Sequence, residues 1–253
     1  MSYTSYPSLK GKTVFITGGG SGIGAALVEA FVANGSKVAF VDILDADSEA
    51  LASRLSDIGP RPIYLHCDIT EIAGLRGAIA TAAERLGPIG VLVNNAANDQ
   101  RQPADEVTPE SWDRSQSLNL KHLFFAAQAV RAGMRQLGGG SIVNFSSIAW
   151  MAGGPRMVPY AAAKAGIIGL TTSLAREFGP DNIRVNAIAP GAVITERQRR
   201  LWISPADEDA IRSRQCIRQT LLAEHIAPAV LFLAADDSVM ISKQCIVVDG
   251  GLR

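Results

Sequence analysis

Tyr160 and Lys164 stand four residues apart in a stretch with helical apolar spacing, so their side chains share one helix face. A free phenol has a pKa of about 10, which makes it a poor base at neutral pH. An ammonium nearby favours the phenolate, so the pair is expected to work as a phenol acidified by Lys164. Ser147 precedes Tyr160 by thirteen residues, just after an apolar run. Its hydroxyl is placed to hydrogen-bond an oxygen on which charge develops. Such a set can take a proton from an alcohol or return one to a carbonyl. An isolated Tyr-x-x-x-Lys is more often a solvated helical pair, so the reading depends on what accompanies it.

What accompanies it is a glycine cluster near the start, Thr17-Gly18-Gly19-Gly20-Ser21-Gly22-Ile23-Gly24, between a β-branched run and a helical pattern. Gly18 allows a tight turn, Gly22 lets a diphosphate approach the backbone, and Gly24 lets helix pack on strand. The open amides and positive end of the helix suit an anion. Ser21 and Ile23 belong to the same cradle. Asp42, twenty residues past Gly22, ends the second apolar run. A carboxylate there can accept from both adenosine-ribose hydroxyls and repels a 2′-phosphate. With no Lys or Arg in the turn after it, the expected cofactor is NAD rather than NADP. Asp42 could also be a solvated strand-end carboxylate opening the acidic run Asp42, Asp45, Asp47. Asp68, followed by Ile69, could hold an adenine amino group or cap the next helix.

The elements that must carry these residues follow from periodicity. Strands are predicted at 13–16, 37–41, 62–66, 91–93, 141–145, 183–188 and 245–248. Helices are predicted at 22–34, 46–56, 71–86, 109–136 and 159–178. Near-continuous apolar strands separated by helices imply a parallel sheet covered on both faces. Right-handed crossovers make that α/β; a doubly wound, seven-stranded, mostly parallel sheet. The 253 residues are expected to form one domain, with 191–222 as a lid over the site.

Taken in order, these motifs resemble the short-chain dehydrogenase/reductase family. They are Thr17 to Gly24, Asn94-Asn95-Ala96-Ala97, Asn119, Ser147, Tyr160 to Lys164, Pro190-Gly191 with Thr195, and Asp249-Gly250-Gly251. Ala97 stands where members often have Gly, and Lys243 replaces another. The resemblance implies a catalytic set of Asn119, Ser147, Tyr160 and Lys164, and its spacing selects Ser147 over Ser146. It implies further dinucleotide contacts from Asn95, Ala96, Pro190, Gly191, Val193 and Thr195, and from Lys164 to the nicotinamide ribose. Asn119 would hold a water relaying protons to Lys164; alone it would read as an ordinary surface amide.

The loops expected beyond the strand ends offer Asn98, Asp99, Trp150, Met151, Gln198 and Trp202. Amides and a carboxylate suit vicinal hydroxyls, and indole faces suit the C–H face of a sugar ring. Segments 6–12, 94–99, 147–150, 197–198 and 215–216 resemble bacterial NAD-dependent aldose 1-dehydrogenases of the D-xylose and L-arabinose type. That resemblance implies oxidation of a cyclic aldose at its anomeric hydroxyl to an aldonolactone. A 3-oxoacyl reductase and a catalytically silent nucleotide-binding scaffold are the alternatives. Asp42 argues against the first, and the complete catalytic set against the second.

Charge and composition exclude other classes. Lys plus Arg equals Asp plus Glu, 24 each, so nothing marks a nucleic-acid partner. No apolar stretch approaches the roughly 18 residues of a membrane span. Three cysteines, unspaced for metal, read as free thiols in a reducing, cytoplasmic compartment, with no metal expected. Ala162, Gly166 and Gly169 form a small-residue stripe on the outer side of the helix at 159–178. They suggest a symmetric oligomer, which the family resemblance makes a homotetramer.

Overall fold

In the computed structural model, which describes residues 4–253, seven strands form one sheet: β1 (Thr13–Thr17), β2 (Lys37–Asp42), β3 (Ile63–His66), β4 (Val91–Asn94), β5 (Gly140–Phe145), β6 (Ile183–Pro190) and β7 (Cys245–Val248). Their order is β3-β2-β1-β4-β5-β6-β7, and every pairing is parallel. The expected sheet was mostly parallel; the observed one is wholly so. Among the described residues, ten helices connect or flank the strands. They are α1 (Gly22–Ala33), α2 (Asp45–Leu55), α3 (Ile72–Leu86), α4 (Pro109–Gln116), α5 (His122–Gln136), α6 (Ala149–Ala152), α7 (Val158–Phe178), α8 (Glu196–Leu201), α9 (Pro205–Arg214) and α10 (Ala227–Ala234).

Side-chain alternation along β1 explains the layering. Val14 and Ile16 point into a core shared with Leu27 and Phe31 of α1 and Val230 of α10. Phe15, between them, points into the opposite core with Leu75 of α3, Val130 of α5 and Leu174 of α7. All three β1 side chains are fully buried. A strand buried on both faces has no need of polar alternation, hence the unbroken apolar runs. Each fully buried Phe or Ile contributes about 1.5–3 kcal/mol relative to exposure.

β1 and β4 are neighbours, yet the chain leaves β1 toward β2 on one side and returns through β4 on the other. Their carboxyl ends therefore flank a crevice that no crossover fills, the topological switch point of such sheets.

Three expectations change. The helix expected over 109–136 is interrupted by a π turn at Ser117–Lys121. The extra residue in that turn buries Asn119, and such bulges recur at functional sites. Segment 191–222 forms α8 and α9, joined by a short link that ends in the Ser204 capping box of α9. Gly166 does not belong to an outward stripe: a Cβ there would meet Leu120 of the π turn at 3.1 Å, so it faces inward. Of the two glycines, only Gly169 is open. Among the described residues, no helix is long and apolar enough to cross a membrane.

Candidate active site

A cleft of about 930 Å³ opens at the carboxyl ends of β1, β4, β5 and β6. Its dinucleotide end is shaped by the loop from β1 to α1. Gly18 has φ +69°, and a Cβ there would press on Ala96 Cα at 2.8 Å. A Cβ on Gly24 would overlap the Gly18 carbonyl oxygen, so α1 enters against the loop only because position 24 is bare. The β4 loop is tied to the same place. Thr17 Oγ1 accepts from the amides of Asn95 and Ala96 at 3.1 Å each, and Asn95 Nδ2 donates to the carbonyls of Thr17 and Gly18. No side chain caps α1 and no acidic residue lies in its first turn. Its amides are left for an anion, and the cradle fits a dinucleotide diphosphate. Gly24→Ala is expected to weaken binding of the dinucleotide at least about fivefold, because overpacking here must displace the loop at a cost of about 1–3 kcal/mol. Isothermal titration of the variant checks this.

Asp42 closes the adenosine end. Its Oδ2 accepts from the Gly20 amide at 2.8 Å, and its Oδ1 from the amides of Ile43 and Leu44 at 2.8 and 3.1 Å. Asp68 Oδ1 accepts from the amide and hydroxyl of Thr70 at 2.9 and 2.7 Å. It braces the turn before α3 while facing the cleft. Ser21, Gly22, Ile23, Ile69, Ala96, Pro190, Gly191, Val193 and Thr195 line the cleft too, so every residue expected at the cofactor is on its wall.

Tyr160, Lys164 and Ser147 share that wall. Lys164 is 1% exposed and donates to the Phe145 carbonyl at 2.7 Å, with Nζ 5.5 Å from the Tyr160 ring centroid. Burial lowers its pKa to about 7, although the Asp99 carboxylate pulls upward. The expectation for Tyr160 is reversed. Burial, and then the Asp99 carboxylate, hold its phenol well above the ordinary value; the hydrogen bond with Ser147 and the Arg197 guanidinium pull the other way. The ammonium is committed to a carbonyl rather than to the phenol oxygen, and desolvation of a phenolate outweighs it. The side chains around it thus keep Tyr160 protonated at neutral pH.

Asn119 lies one layer behind. Its Oδ1 accepts from the Asn98 amide at 2.9 Å, and its Nδ2 donates to the carbonyls of Asn98 and Ser115 at 3.1 Å each. One N–H holds the Asn98 loop and the other the Ser115 carbonyl of α4, so the expected relay water would find no free donor at this side chain.

At the substrate end, Asn98, Asp99, Gln198 and Trp202 line the cleft, whereas Trp150 and Met151 do not. The single turn of α6, stopped by Gly153 in the left-handed conformation, turns those two away; Ala149 and Met157 take their place. The Trp202 ring is covered by the Arg101 guanidinium, 5.0 Å from its centroid. Two neighbours carry no assigned role in the sequence reading, although Arg197 belongs to the 197–198 segment of the resemblance. Arg197 bonds Asn98 and Asp99 and is the residue beside Gln198. His122 is fully buried with neither ring nitrogen hydrogen-bonded, its pKa lowered to about 3 by burial and then by Lys164. The buried face shared by Leu123, Ala126 and Ala127 was the signal that position 122 points inward.

A doubly wound parallel sheet, a glycine cradle at the switch point and a Ser-Tyr-Lys group in the same cleft define a nucleotide-dependent oxidoreductase. The chain belongs to the short-chain dehydrogenase/reductase family, whose fold binds a nicotinamide nucleotide. Residues 18–253 match the family model described as enoyl-(acyl carrier protein) reductase. The protein of Rhizobium meliloti named probable galactose dehydrogenase GalD is 50% identical over 250 residues, 98% of each chain. D-xylose 1-dehydrogenase of Caulobacter vibrioides is 45% identical over 253 residues, the whole of both. A solved 7α-hydroxysteroid dehydrogenase, complexed with NADH and 7-oxo glycochenodeoxycholic acid, superposes with a TM-score of 0.93. It is 31% identical, over 99% of this chain and 98% of that one.

Proposed function

We propose that the protein is an NAD-dependent aldose 1-dehydrogenase. It oxidises the anomeric hydroxyl of a cyclic aldose of the L-arabinose, D-xylose, D-galactose or L-fucose class to the aldonolactone. The observation that carries the reading is the meeting, in one cleft, of Tyr160, Ser147 and Lys164 with a polar end built from Asn98, Asp99 and Gln198. Full-length likeness to two sugar dehydrogenases supports the substrate class.

Bound NAD supplies the acceptor for the hydride that leaves C1. Ser147 holds the C1 oxygen, and the Tyr160 phenolate takes its proton. Lys164 fixes the ribose and stands next in the path by which that proton leaves. Asn119 keeps the Asn98 loop in place. Asp42 turns away a 2′-phosphate and so sets NAD over NADP. The lid is 191–222, and the chain works as one catalytic domain. Desolvation keeps the Tyr160 phenol protonated, so its base form grows with pH and oxidation is expected to speed up as pH rises through neutrality. A pH profile of kcat/KM that falls between pH 7 and 9 would contradict this.

The test is a panel of free aldoses with NAD or NADP, read at the absorbance of the reduced nicotinamide, with a 3-oxoacyl thioester as control. Aldose turnover with NAD and none with the thioester is expected. The reverse would move the protein to acyl reduction, in line with the family model's description. We read the protein further as a cytoplasmic homotetramer, with Trp112 and Phe124 as exposed apolar rings for subunit contact. Light scattering that gives a monomer mass would remove that reading.

A further inference from the structure

One ion pair spans the substrate end of the cleft. Arg197, in the first turn of α8, donates from Nη1 to Asp99 Oδ1 at 2.6 Å and from Nη2 to Asn98 Oδ1 at 2.8 Å. Gln198, the next residue, donates to the other Asp99 oxygen at 2.8 Å. Both carboxylate oxygens are engaged from one helix turn, and the Asp99 side chain is only 13% exposed. The gripped loop is anchored from behind by Asn119, through the amide and carbonyl of Asn98. At this same end α8 begins on Thr195, whose hydroxyl accepts from the Gln198 amide at 3.3 Å. Thr195 Cγ2 lies 3.4 Å from where a Gly22 Cβ would be. α8 therefore bridges the dinucleotide loop and the loop after β4.

The pair also sits where it acts on Tyr160. Burial alone would raise the Asp99 carboxyl, but Arg197 and Gln198 outweigh it, so Asp99 is a carboxylate. That negative charge opposes loss of the phenol proton, and the guanidinium opposes the carboxylate. The other groups around the phenol do not replace Arg197. Lys164 is bound to the Phe145 carbonyl, His122 behind it is neutral, and Arg101 lies on the Trp202 ring. Glu196 and Arg200 of α8 and Asp207 and Arg214 of α9 line the same cleft, two of each sign, while the charges that act on the phenol are those of Asp99 and Arg197.

We propose that Arg197 is a positioning residue for the dehydrogenase reaction: it latches α8 across the substrate end of the cleft and cancels the Asp99 charge in front of the Tyr160 hydroxyl. The substrate then meets hydrogen-bond acceptors there without meeting a net anion. The proposal rests on Tyr160 being the base.

Its two halves separate by substitution. Arg197→Gln removes both grip and charge. The ascending limb of kcat/KM against pH is expected to move about one pH unit toward alkaline. Amide hydrogen exchange over 196–201 in the free enzyme is expected to rise about tenfold. Arg197→Lys keeps the charge without the two-pronged reach; the limb is expected to stay and KM for the sugar to rise about tenfold. Asp99→Asn is expected to move the limb the opposite way, toward acid, and serves alone if Arg197→Gln fails to fold. In the double variant the limb is expected to return close to wild type. A merely structural Arg197 would lower activity and melting temperature in every variant with the limb unmoved, and that result overturns the proposal. Failure of the underlying reading looks different, since Tyr160→Phe would then keep its turnover.

Discussion

Tyr160→Phe is expected to lose sugar oxidation by about three orders of magnitude while binding the dinucleotide as tightly as the wild type. General-base groups contribute roughly 10²–10⁴ in rate, and the other titratable groups near the phenol are engaged elsewhere, Lys164 with the Phe145 carbonyl. His122 is buried behind Lys164 with its pKa driven to about 3, and the Asp99 carboxylate is occupied by Arg197 and Gln198. Phenylalanine keeps the ring that packs under the Lys164 ammonium, so the wall of the cleft is preserved. Only the hydroxyl disappears. Turnover within about tenfold of wild type, with dinucleotide affinity unchanged, would falsify the assignment of the base. Loss of both activity and affinity would show instead that the cleft had collapsed. Steady-state kinetics together with fluorescence titration of NADH distinguish these results.

The parts of this site that rest on short-range rules were legible in the sequence. The glycine spacing from Gly18 to Gly24 is dictated by contact of the loop backbone with Ala96 and with itself. Tyr160 and Lys164 share a face because a helix repeats every 3.6 residues. β1 to β7 follow from apolar runs that a doubly covered sheet leaves uninterrupted. What was not legible depends on phase and on distant partners. Trp150 and Met151 are two of only four residues in α6, and the way so short a turn faces is fixed by Gly153 and the chain after it. The π turn that buries Asn119 adds one residue to a pattern that otherwise reads as continuous helix. The direction of the Tyr160 shift departs from the sequence expectation for a related reason. Sequence spacing brings the ammonium near, but only the fold shows that it is spent on the Phe145 carbonyl and that the phenol is desolvated. Arg197 and Asp99 are 98 residues apart along the chain, and no local pattern joins them.

Asp42→Asn is expected to shift the preference between NAD and NADP by about two orders of magnitude in kcat/KM, chiefly through a gain with NADP. Two unit charges about 5 Å apart at an effective dielectric of about 20 repel by about 3 kcal/mol, which is roughly a hundredfold in binding. No cation follows the carboxylate in its turn: residues 43–48 contain no Lys or Arg, and Asp45 and Asp47 add to its field. Asparagine is the informative substitution because Asp42 is also a brace. Its two oxygens accept from Gly20 on one side and from Ile43 and Leu44 on the other. The asparagine amide would retain one oxygen acceptor, so one side of the brace survives while the charge is gone. Asp42→Ala removes both, and is expected to lose affinity for either dinucleotide as the Gly18–Gly20 turn loosens. If Asn and Ala variants lose NAD and NADP activity in parallel, Asp42 acts as a brace alone and the cofactor choice is made elsewhere. If the Asn variant gains NADP activity while the Ala variant loses both, the charge selects and the hydrogen bonds hold the loop in which it selects.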